Sequence, residues 1–210
     1  MNLHPGMTVL FQGDSITDAG RNYQEKDLGP GYPHYVAQLF NAKYPDWNVT
    51  FINRGISGNR TSDLLSRWEE DCLALQPDFL SILIGINDTW RKFDSNLPTT
   101  SAQYEANYRT LLTQVRVRLG DIPILIMEPF LMPFVPDKMN WREDLDPKIQ
   151  AARKIANEFH AMYLPLDGLF ASKAISTGYA TWSADGVHPT PAGHSFIAQK
   201  WMQLVENSSI

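Results

Sequence analysis

Cysteine is nearly absent from this sequence: the only one in 210 residues is Cys72. A single thiol cannot close a disulfide within the chain, and it cannot supply the cysteine set of a structural metal site. No neighbouring residue indicates an activated thiolate, so we expect Cys72 to be a small buried hydrophobic residue. The sequence therefore predicts no disulfide scaffold and no metal ligands.

Long hydrophobic runs are absent as well. No stretch approaches the roughly 20 consecutive apolar residues that a membrane span requires. Residues 1–10 carry neither the basic start nor the long apolar segment of a secretory signal. We therefore expect a cytoplasmic protein with no membrane partner.

Positive charge is in short supply. The chain has 18 Lys and Arg against 23 Asp and Glu, which gives a formal net charge of -5 at pH 7. Nucleic-acid binding requires a basic face, so this balance predicts no nucleic-acid partner. We find no internal repeat, no low-complexity tract and no charge run that would mark a linker, and the length is that of one domain, residues 1–210.

The sequence does contain short apolar runs that alternate with longer amphipathic segments. Five runs are brief and partly β-branched, as buried strands are: residues 8–12, 48–54, 79–84, 122–128 and 162–165. Alternation of this kind implies parallel strands joined by crossover helices on both faces. We predict an α/β fold, a three-layer α/β/α sandwich around a five-stranded, mainly parallel sheet. Ligands bind such sheets beyond the carboxyl ends of the strands.

Several helices are predicted from capping signals and apolar spacing. Thr100 with Gln103 matches a capping box before a helix over residues 104–119. An N-cap residue followed by proline predicts helix starts at residues 146–147 and 190–191. Apolar spacing predicts helices over residues 33–44, with Leu39 on the apolar side, and 61–75. The connection over residues 128–145 is predicted to be a long loop that forms a site rim or an oligomer contact.

Polar residues follow the first strand. Residues 13–18 read Gly-Asp-Ser-Ile-Thr-Asp, so Ser15 stands at the start of a turn or helix beyond the strand's carboxyl end. Its hydroxyl is a candidate nucleophile. Taken alone, the segment is explained at least as well by Ser15 or Asp14 capping a helix.

The second and third strands are followed by Gly-Ile-Ser-Gly-Asn-Arg at residues 55–60 and by Gly-Ile-Asn-Asp at residues 85–88. Gly58 could expose a backbone donor to a ligand, or simply make a turn. The Asn87 amide could donate to a developing oxyanion, or Asn87 and Asp88 could form a turn and cap. These two segments, taken alone, are consistent with either a structural or a catalytic role.

Near the C-terminus, Asp185 precedes His188 by three residues on a glycine-containing loop. A carboxylate at this offset can hold an imidazole in one tautomer, which leaves its other nitrogen free to act as a base. A surface loop with an incidental histidine is the alternative. Taken together, the four segments supply a nucleophile, oxyanion donors, an orienting acid and a base.

These four segments resemble the GDSL, or SGNH, hydrolase family in order and approximate spacing, from Gly13 to His188. The resemblance implies the flavodoxin-like SGNH hydrolase fold and a serine esterase that needs no cofactor. It also implies that Ser15 is the nucleophile, His188 the base and Asp185 the acid that orients it. The oxyanion hole would consist of the Ser15 and Gly58 N–H groups and the Asn87 side chain.

Residues 55–59, 67–71 and 84–91 are most similar to the carbohydrate acetylesterase branch, which includes acetylxylan esterases. The expected substrate is therefore an acetylated sugar or xylo-oligosaccharide. The alternatives are a lysophospholipase-like or short-chain lipid acylhydrolase and a non-catalytic binding protein. A homo-oligomer is a candidate assembly.

Some residues near the motifs are consistent with either a role in the substrate pocket or a structural role. The candidate pocket residues are Asp14, Arg60, Trp90 and Trp182. Asp14 is expected to accept local backbone hydrogen bonds, and the two tryptophans fit a pocket or the core equally well. His194 is the main rival to His188, but it lies in the last predicted helix without an acid at a useful offset.

Overall fold

The computed structural model describes residues 3–25 and 27–208. Its centre is a five-stranded sheet, and every neighbouring pair of strands is parallel. The strands are β1 (Thr8–Gly13), β2 (Thr50–Asn53), β3 (Phe79–Leu83), β4 (Ile124–Met127) and β5 (Met162–Leu164), and their order across the sheet is β2-β1-β3-β4-β5. This confirms the predicted fold class.

Eight α-helices of the described residues connect and flank the strands. They are α1 (Ser15–Asp18), α2 (Tyr32–Lys43), α3 (Thr61–Asp71), α4 (Ile86–Asp94), α5 (Ser101–Leu119), α6 (Arg142–Glu158), α7 (Leu166–Thr177) and α8 (Pro191–Asn207). Four 3₁₀ segments of the described residues lie between these elements, at Pro45–Trp47, Leu73–Leu75, Pro136–Trp141 and Tyr179–Thr181. Within the described part of the chain, no helix is long and apolar enough to cross a membrane.

Alternation along each strand builds a separate core on each face of the sheet. In β1, Val9 and Phe11 pack into one core and Leu10 into the other, because successive side chains of a strand point to opposite faces. Helices α2 and α8 pack together on the first face, while α3, α5 and α6 pack side by side on the second. The first core also contains a buried hydrogen bond, 3.0 Å long, from Trp201 Nε1 to Ser81 Oγ.

Two predicted helix starts are confirmed. The Thr100 and Gln103 side chains each accept a backbone N–H of the other residue at the start of α5. The Thr190 hydroxyl accepts the N–H of Gly193 at 3.2 Å, and Pro191 is the first residue of α8. The start predicted at Asp146-Pro147 is wrong.

Helix α6 begins at Arg142 and carries Pro147 inside it, because the 3₁₀ segment Pro136–Trp141 runs directly into its first turn. The predicted loop over residues 128–145 therefore contains helical structure at its C-terminal end. The helix predicted over residues 61–75 ends at Asp71, and Leu75 belongs to a separate 3₁₀ turn. The predicted apolar side of α2 is also wrong at one position, since Leu39 is 40% exposed.

Helices α4 and α7 were not predicted as separate elements. The first follows Gly85, whose φ of +136° is unusual for an L-residue, and no side chain caps it. The second follows Pro165, again without a side-chain cap. Neither start carries the Ser, Thr, Asp or Asn cap on which sequence reasoning depends.

Candidate active site

Ser15 is positioned by the sharp exit of the chain from β1. A Cβ atom at Gly13 would collide with the Leu83 carbonyl oxygen, so glycine is required where β1 meets the end of β3. Asp14 then caps α1, because its Oδ1 accepts the Ile16 N–H at 3.0 Å. Ser15 becomes the first residue of a one-turn helix at the carboxyl edge of the sheet.

The structure joins Ser15, His188 and Asp185 in one chain of contacts. The Ser15 Oγ lies 2.9 Å from His188 Nε2, and His188 Nδ1 lies 2.8 Å from Asp185 Oδ2. A carboxylate accepts only, so the Nδ1–H of His188 donates to Asp185 and leaves Nε2 to accept the serine proton. Ser15 and His188 lie 173 residues apart along the chain.

Electrostatics at this site keep Asp185 ionised. Partial burial favours its neutral form, but hydrogen bonds from the His188 ring and from the His188 and Val187 backbone N–H groups outweigh that effect and hold the pKa of Asp185 well below its usual range. The hydrogen bond to Asp185 in turn raises the pKa of His188 above its ordinary value, although burial opposes the rise. The pair therefore stabilises an imidazolium at His188.

Ser183 is a residue of this loop that sequence reasoning missed. Its hydroxyl donates to the His188 carbonyl at 2.8 Å and accepts the Gly186 N–H at 2.9 Å. Gly186 has a φ of +86°, and a Cβ there would lie 2.7 Å from the Met132 carbonyl oxygen. A Ser two residues before an Asp, followed by Gly, is the pattern of a self-bonded turn and could have indicated this arrangement.

Asn87 and the loop after β2 also come together at the carboxyl edge of the sheet. Asn87 lies in the first turn of α4, is 2% exposed, and donates from Nδ2 to the Asn59 carbonyl at 3.1 Å. Gly58, one residue earlier in that loop, has a φ of +83° and is exposed. The Asn87 amide is therefore fixed against the segment that carries the Gly58 N–H.

Asp88 holds the same two segments together and was not singled out as a separate functional residue by sequence. Its carboxylate accepts the Thr61 hydroxyl at 2.7 Å and the Thr61 N–H at 3.0 Å, and both residues are fully buried. Burial raises the pKa of Asp88 to about 6, although the two hydrogen bonds from Thr61 favour its charged form. The two hydrogen bonds between Thr61 and Asp88 therefore link the start of α3 to the start of α4.

Asp14 directly precedes the serine, is buried, and makes no hydrogen bond to the His188 imidazole. Its Oδ1 caps α1, as expected, while its buried Oδ2 has no hydrogen-bond partner in the described residues. Burial raises the pKa of Asp14 to about 7, against the opposing effects of the Ile16 N–H and the charge of His188. Asp14 therefore carries only part of its charge near neutral pH.

The structure separates the remaining candidates. The Trp90 ring lies 5.8 Å from the His188 ring, beside the site. Trp182 packs 5.4 Å from the Phe196 ring in the core, and its Nε1 donates to a threonine hydroxyl. Arg60 stands at the start of α3, where its Nε donates to Asp63 at 3.2 Å.

His194 is occupied elsewhere. Its Nδ1 accepts the Tyr32 backbone N–H at 3.1 Å, and burial lowers the pKa of this histidine to about 4. It is therefore a neutral structural residue at ordinary pH.

Cys72 is fully buried, as predicted, and burial raises the pKa of its thiol to about 12. Across residues 3–25 and 27–208, no group of three or more His, Cys, Asp or Glu side chains could hold a metal ion.

Comparison with known proteins gives a consistent picture. The GDSL-like lipase/acylhydrolase family matches residues 11–196. A curated acetylxylan esterase of Geobacillus stearothermophilus is 36% identical over 98% of this chain and 96% of its own. The crystal structure of Axe2, an acetylxylan esterase from the same organism, superimposes with a TM-score of 0.90 at 34% identity, over 99% of this chain and 98% of that one.

A structure from Parabacteroides merdae, described as a GDSL-like lipase, has a TM-score of 0.92 at 36% identity and covers 98% of both chains. The resemblance stated from the motifs is therefore confirmed over nearly the whole described fold. This chain belongs to the GDSL-like lipase/acylhydrolase family and is a carboxylic ester hydrolase.

Proposed function

We propose that this protein is a serine esterase that removes acetyl groups from acetylated sugars or xylo-oligosaccharides, with Ser15 as the nucleophile, His188 as the base and Asp185 as the orienting acid. The observation that carries this proposal is the continuous chain of contacts, 2.9 Å from Ser15 Oγ to His188 Nε2 and 2.8 Å from His188 Nδ1 to Asp185 Oδ2. Both distances fall in the range that proton transfer and ring orientation require.

In the first half of the reaction, the Ser15 Oγ attacks the ester carbonyl carbon while its proton moves to His188 Nε2. Negative charge develops on the carbonyl oxygen, where the Ser15 and Gly58 N–H groups and the Asn87 amide would donate to it. A single donor of this kind typically contributes about 2.7–4 kcal/mol to transition-state stabilisation. The C–O bond to the sugar then breaks, and the imidazolium returns its proton to the departing alcohol.

In the second half, His188 takes a proton from water as the water oxygen attacks the acetyl-serine carbonyl. Collapse of that intermediate breaks the bond to Ser15 Oγ, which recovers its proton from His188, and acetic acid leaves. Asp185 stays ionised throughout and stabilises the imidazolium in both halves. Its lowered pKa fits this role.

Support for the acetylated sugar comes from the relatives. The enzyme Axe2 is described as an acetylxylan esterase and as an acetyl-xylooligosaccharide esterase. Three of its structures are catalytic mutants, in which a serine, an aspartate and a histidine are each replaced by alanine, and the last two lie three positions apart. Ser15, Asp185 and His188 present the same residue types at the same offset. Trp90, whose ring lies 5.8 Å from the His188 ring, is an aromatic side chain against which a sugar could pack.

The test is acetate release from acetylated xylo-oligosaccharides, measured beside a 4-nitrophenyl ester series from acetyl to octanoyl. We expect acetate release and a steep fall in kcat/KM beyond the acetyl ester. Faster turnover of octanoyl esters or lysophospholipids would establish the lipid-directed alternative instead. The single domain over residues 1–210, the cytoplasmic location and the homo-oligomer stay predictions.

A further inference from the structure

Lys138 is a nearly buried lysine beside the active site. The residue is only 8% exposed, and its Nζ lies 5.4 Å from the centroid of the Trp90 ring and 5.6 Å from that of Trp141. The Trp90 ring itself lies 5.8 Å from the His188 ring. The ammonium is therefore one aromatic ring away from the proposed general base.

The charge of Lys138 has no counterpart in the described residues. Its Nζ makes no hydrogen bond and no ion pair there, and the two indole rings are its recorded partners. Lys148, a second buried lysine among the described residues, shows the usual arrangement, because it is held by the Asp144 carboxylate and the Thr89 hydroxyl. Lys138 instead buries most of its side chain while its ammonium, which has no such partner, is not fully buried.

Aromatic faces attract a cation but cannot accept the three N–H donors of an ammonium in hydrogen bonds with full effect. The Nζ atom itself is not fully buried, so an anion can reach it, and the aromatic surroundings strengthen the attraction relative to a lysine fully surrounded by water. The positive charge of Lys138 also acts on His188, where it partly opposes the rise in pKa that the hydrogen bond to Asp185 produces.

We propose that Lys138 is a specificity-determining residue that binds an anionic group, a carboxylate or a phosphate, on the alcohol part of the ester substrate. Lysine acts as a compact point charge and suits either anion. Trp90 and Trp141 hold the ammonium in place, so the anion reaches a cation that is already oriented. The inference rests on the proposed function, because it assigns the alcohol side of the same site.

The test uses three acetylated substrates that share the same sugar ring: a methyl glucoside, its 6-carboxylate and its 6-phosphate. We expect kcat/KM for one or both anionic substrates to exceed that of the neutral one by about tenfold or more at low salt. This preference should shrink as ionic strength rises. The arm that shows it identifies the anion as a carboxylate or a phosphate.

Variants then assign the preference to the residue. Lys138→Met keeps an unbranched side chain but removes the charge, and it should lower the anionic-to-neutral ratio to near one. Lys138→Arg should retain most of the ratio. Lys200→Met removes a cation that lies on α8 and contacts Gln203, and it should leave the ratio unchanged. If Lys138→Met fails to fold, Lys138→Gln, which also removes the charge, takes its place.

Three outcomes overturn the inference, the first two by refuting the role of Lys138 and the third by refuting the proposed function. Equal hydrolysis of the three substrates by the wild type, or an unchanged ratio in Lys138→Met, refutes the role of Lys138 and leaves the esterase proposal intact. No acetate release from any of the three, with 4-nitrophenyl acetate also inert, refutes the proposed function and this inference with it.

Discussion

The contact between Thr61 and Asp88 allows a quantitative prediction, because it fixes the two segments that carry the proposed oxyanion donors. Thr61→Val keeps the shape of the side chain but removes the hydroxyl that donates to Asp88 at 2.7 Å and accepts from Asn107 at 3.1 Å. The Thr61 N–H remains, so the carboxylate keeps one of its two donors. The change therefore removes one hydrogen bond to a buried charged group.

The size of the effect depends on pH. A hydrogen bond to an ionised acceptor contributes about 1.5–3 kcal/mol, and one to a neutral acceptor about 1 kcal/mol. Burial raises the pKa of Asp88 to about 6, above its value in the unfolded chain. The stability that Asp88 contributes is therefore fully present below the unfolded-state pKa and is lost as the pH rises through 6. Thr61→Val enlarges that loss, because the Thr61 hydroxyl favours the charged form.

We expect Thr61→Val to lower the free energy of unfolding by about 1 kcal/mol at pH 5 and by about 2–3 kcal/mol at pH 8. Urea denaturation at both pH values measures the two differences, and other carboxyls cancel in the comparison with the wild type. Thr61→Ser keeps the hydroxyl and should show a small loss that does not change with pH. A Thr61→Val penalty that is equal at pH 5 and pH 8 would refute the reasoning.

Three further substitutions probe the proposed catalytic residues and the rival histidine His194. Asp185→Asn removes the negative charge that raises the pKa of His188, so the acidic limb of the kcat/KM profile should move to lower pH while kcat falls about 10⁴-fold. An unmoved limb would contradict this pairing. Asn87→Ala should lower kcat about 10²–10³-fold with KM less affected, whereas a rise in KM alone would make the residue a binding group. His194→Ala should leave the pH profile in place but lower the free energy of unfolding by about 1–3 kcal/mol in thermal or urea melts, because the Tyr32 N–H loses its buried acceptor.

The fold was largely predictable because the strands carry their own pattern. Each apolar run is short, four of the five contain β-branched residues, and the parallel orientation follows from the crossover segments between them. Helix starts were predictable where a side chain caps them, as Thr100 and Thr190 do. The start at Pro147 failed because the 3₁₀ segment before Arg142 supplies the first turn, and no local signal reveals that continuation.

The site was predictable at the level of which residues stand at strand ends, since parallel strands bring their carboxyl ends to one edge. Side-chain partners were not. Trp90 and Trp182 looked alike in sequence, yet the first lies beside His188 and the second packs against Phe196. Contacts between distant segments decide such cases, as the position of the Lys138 ammonium beside the Trp90 and Trp141 rings also shows.

The central claim is that Ser15 attacks the ester and is activated by His188. Its most direct test is incubation with a fluorophosphonate, followed by mass spectrometry of the labelled peptide, beside the 4-nitrophenyl acetate turnover of Ser15→Ala. The account predicts a single adduct on Ser15 and a loss of turnover of at least about 10³-fold in a variant whose circular dichroism and melting temperature match the wild type. An adduct on another residue, or near-normal turnover by Ser15→Ala, would contradict it.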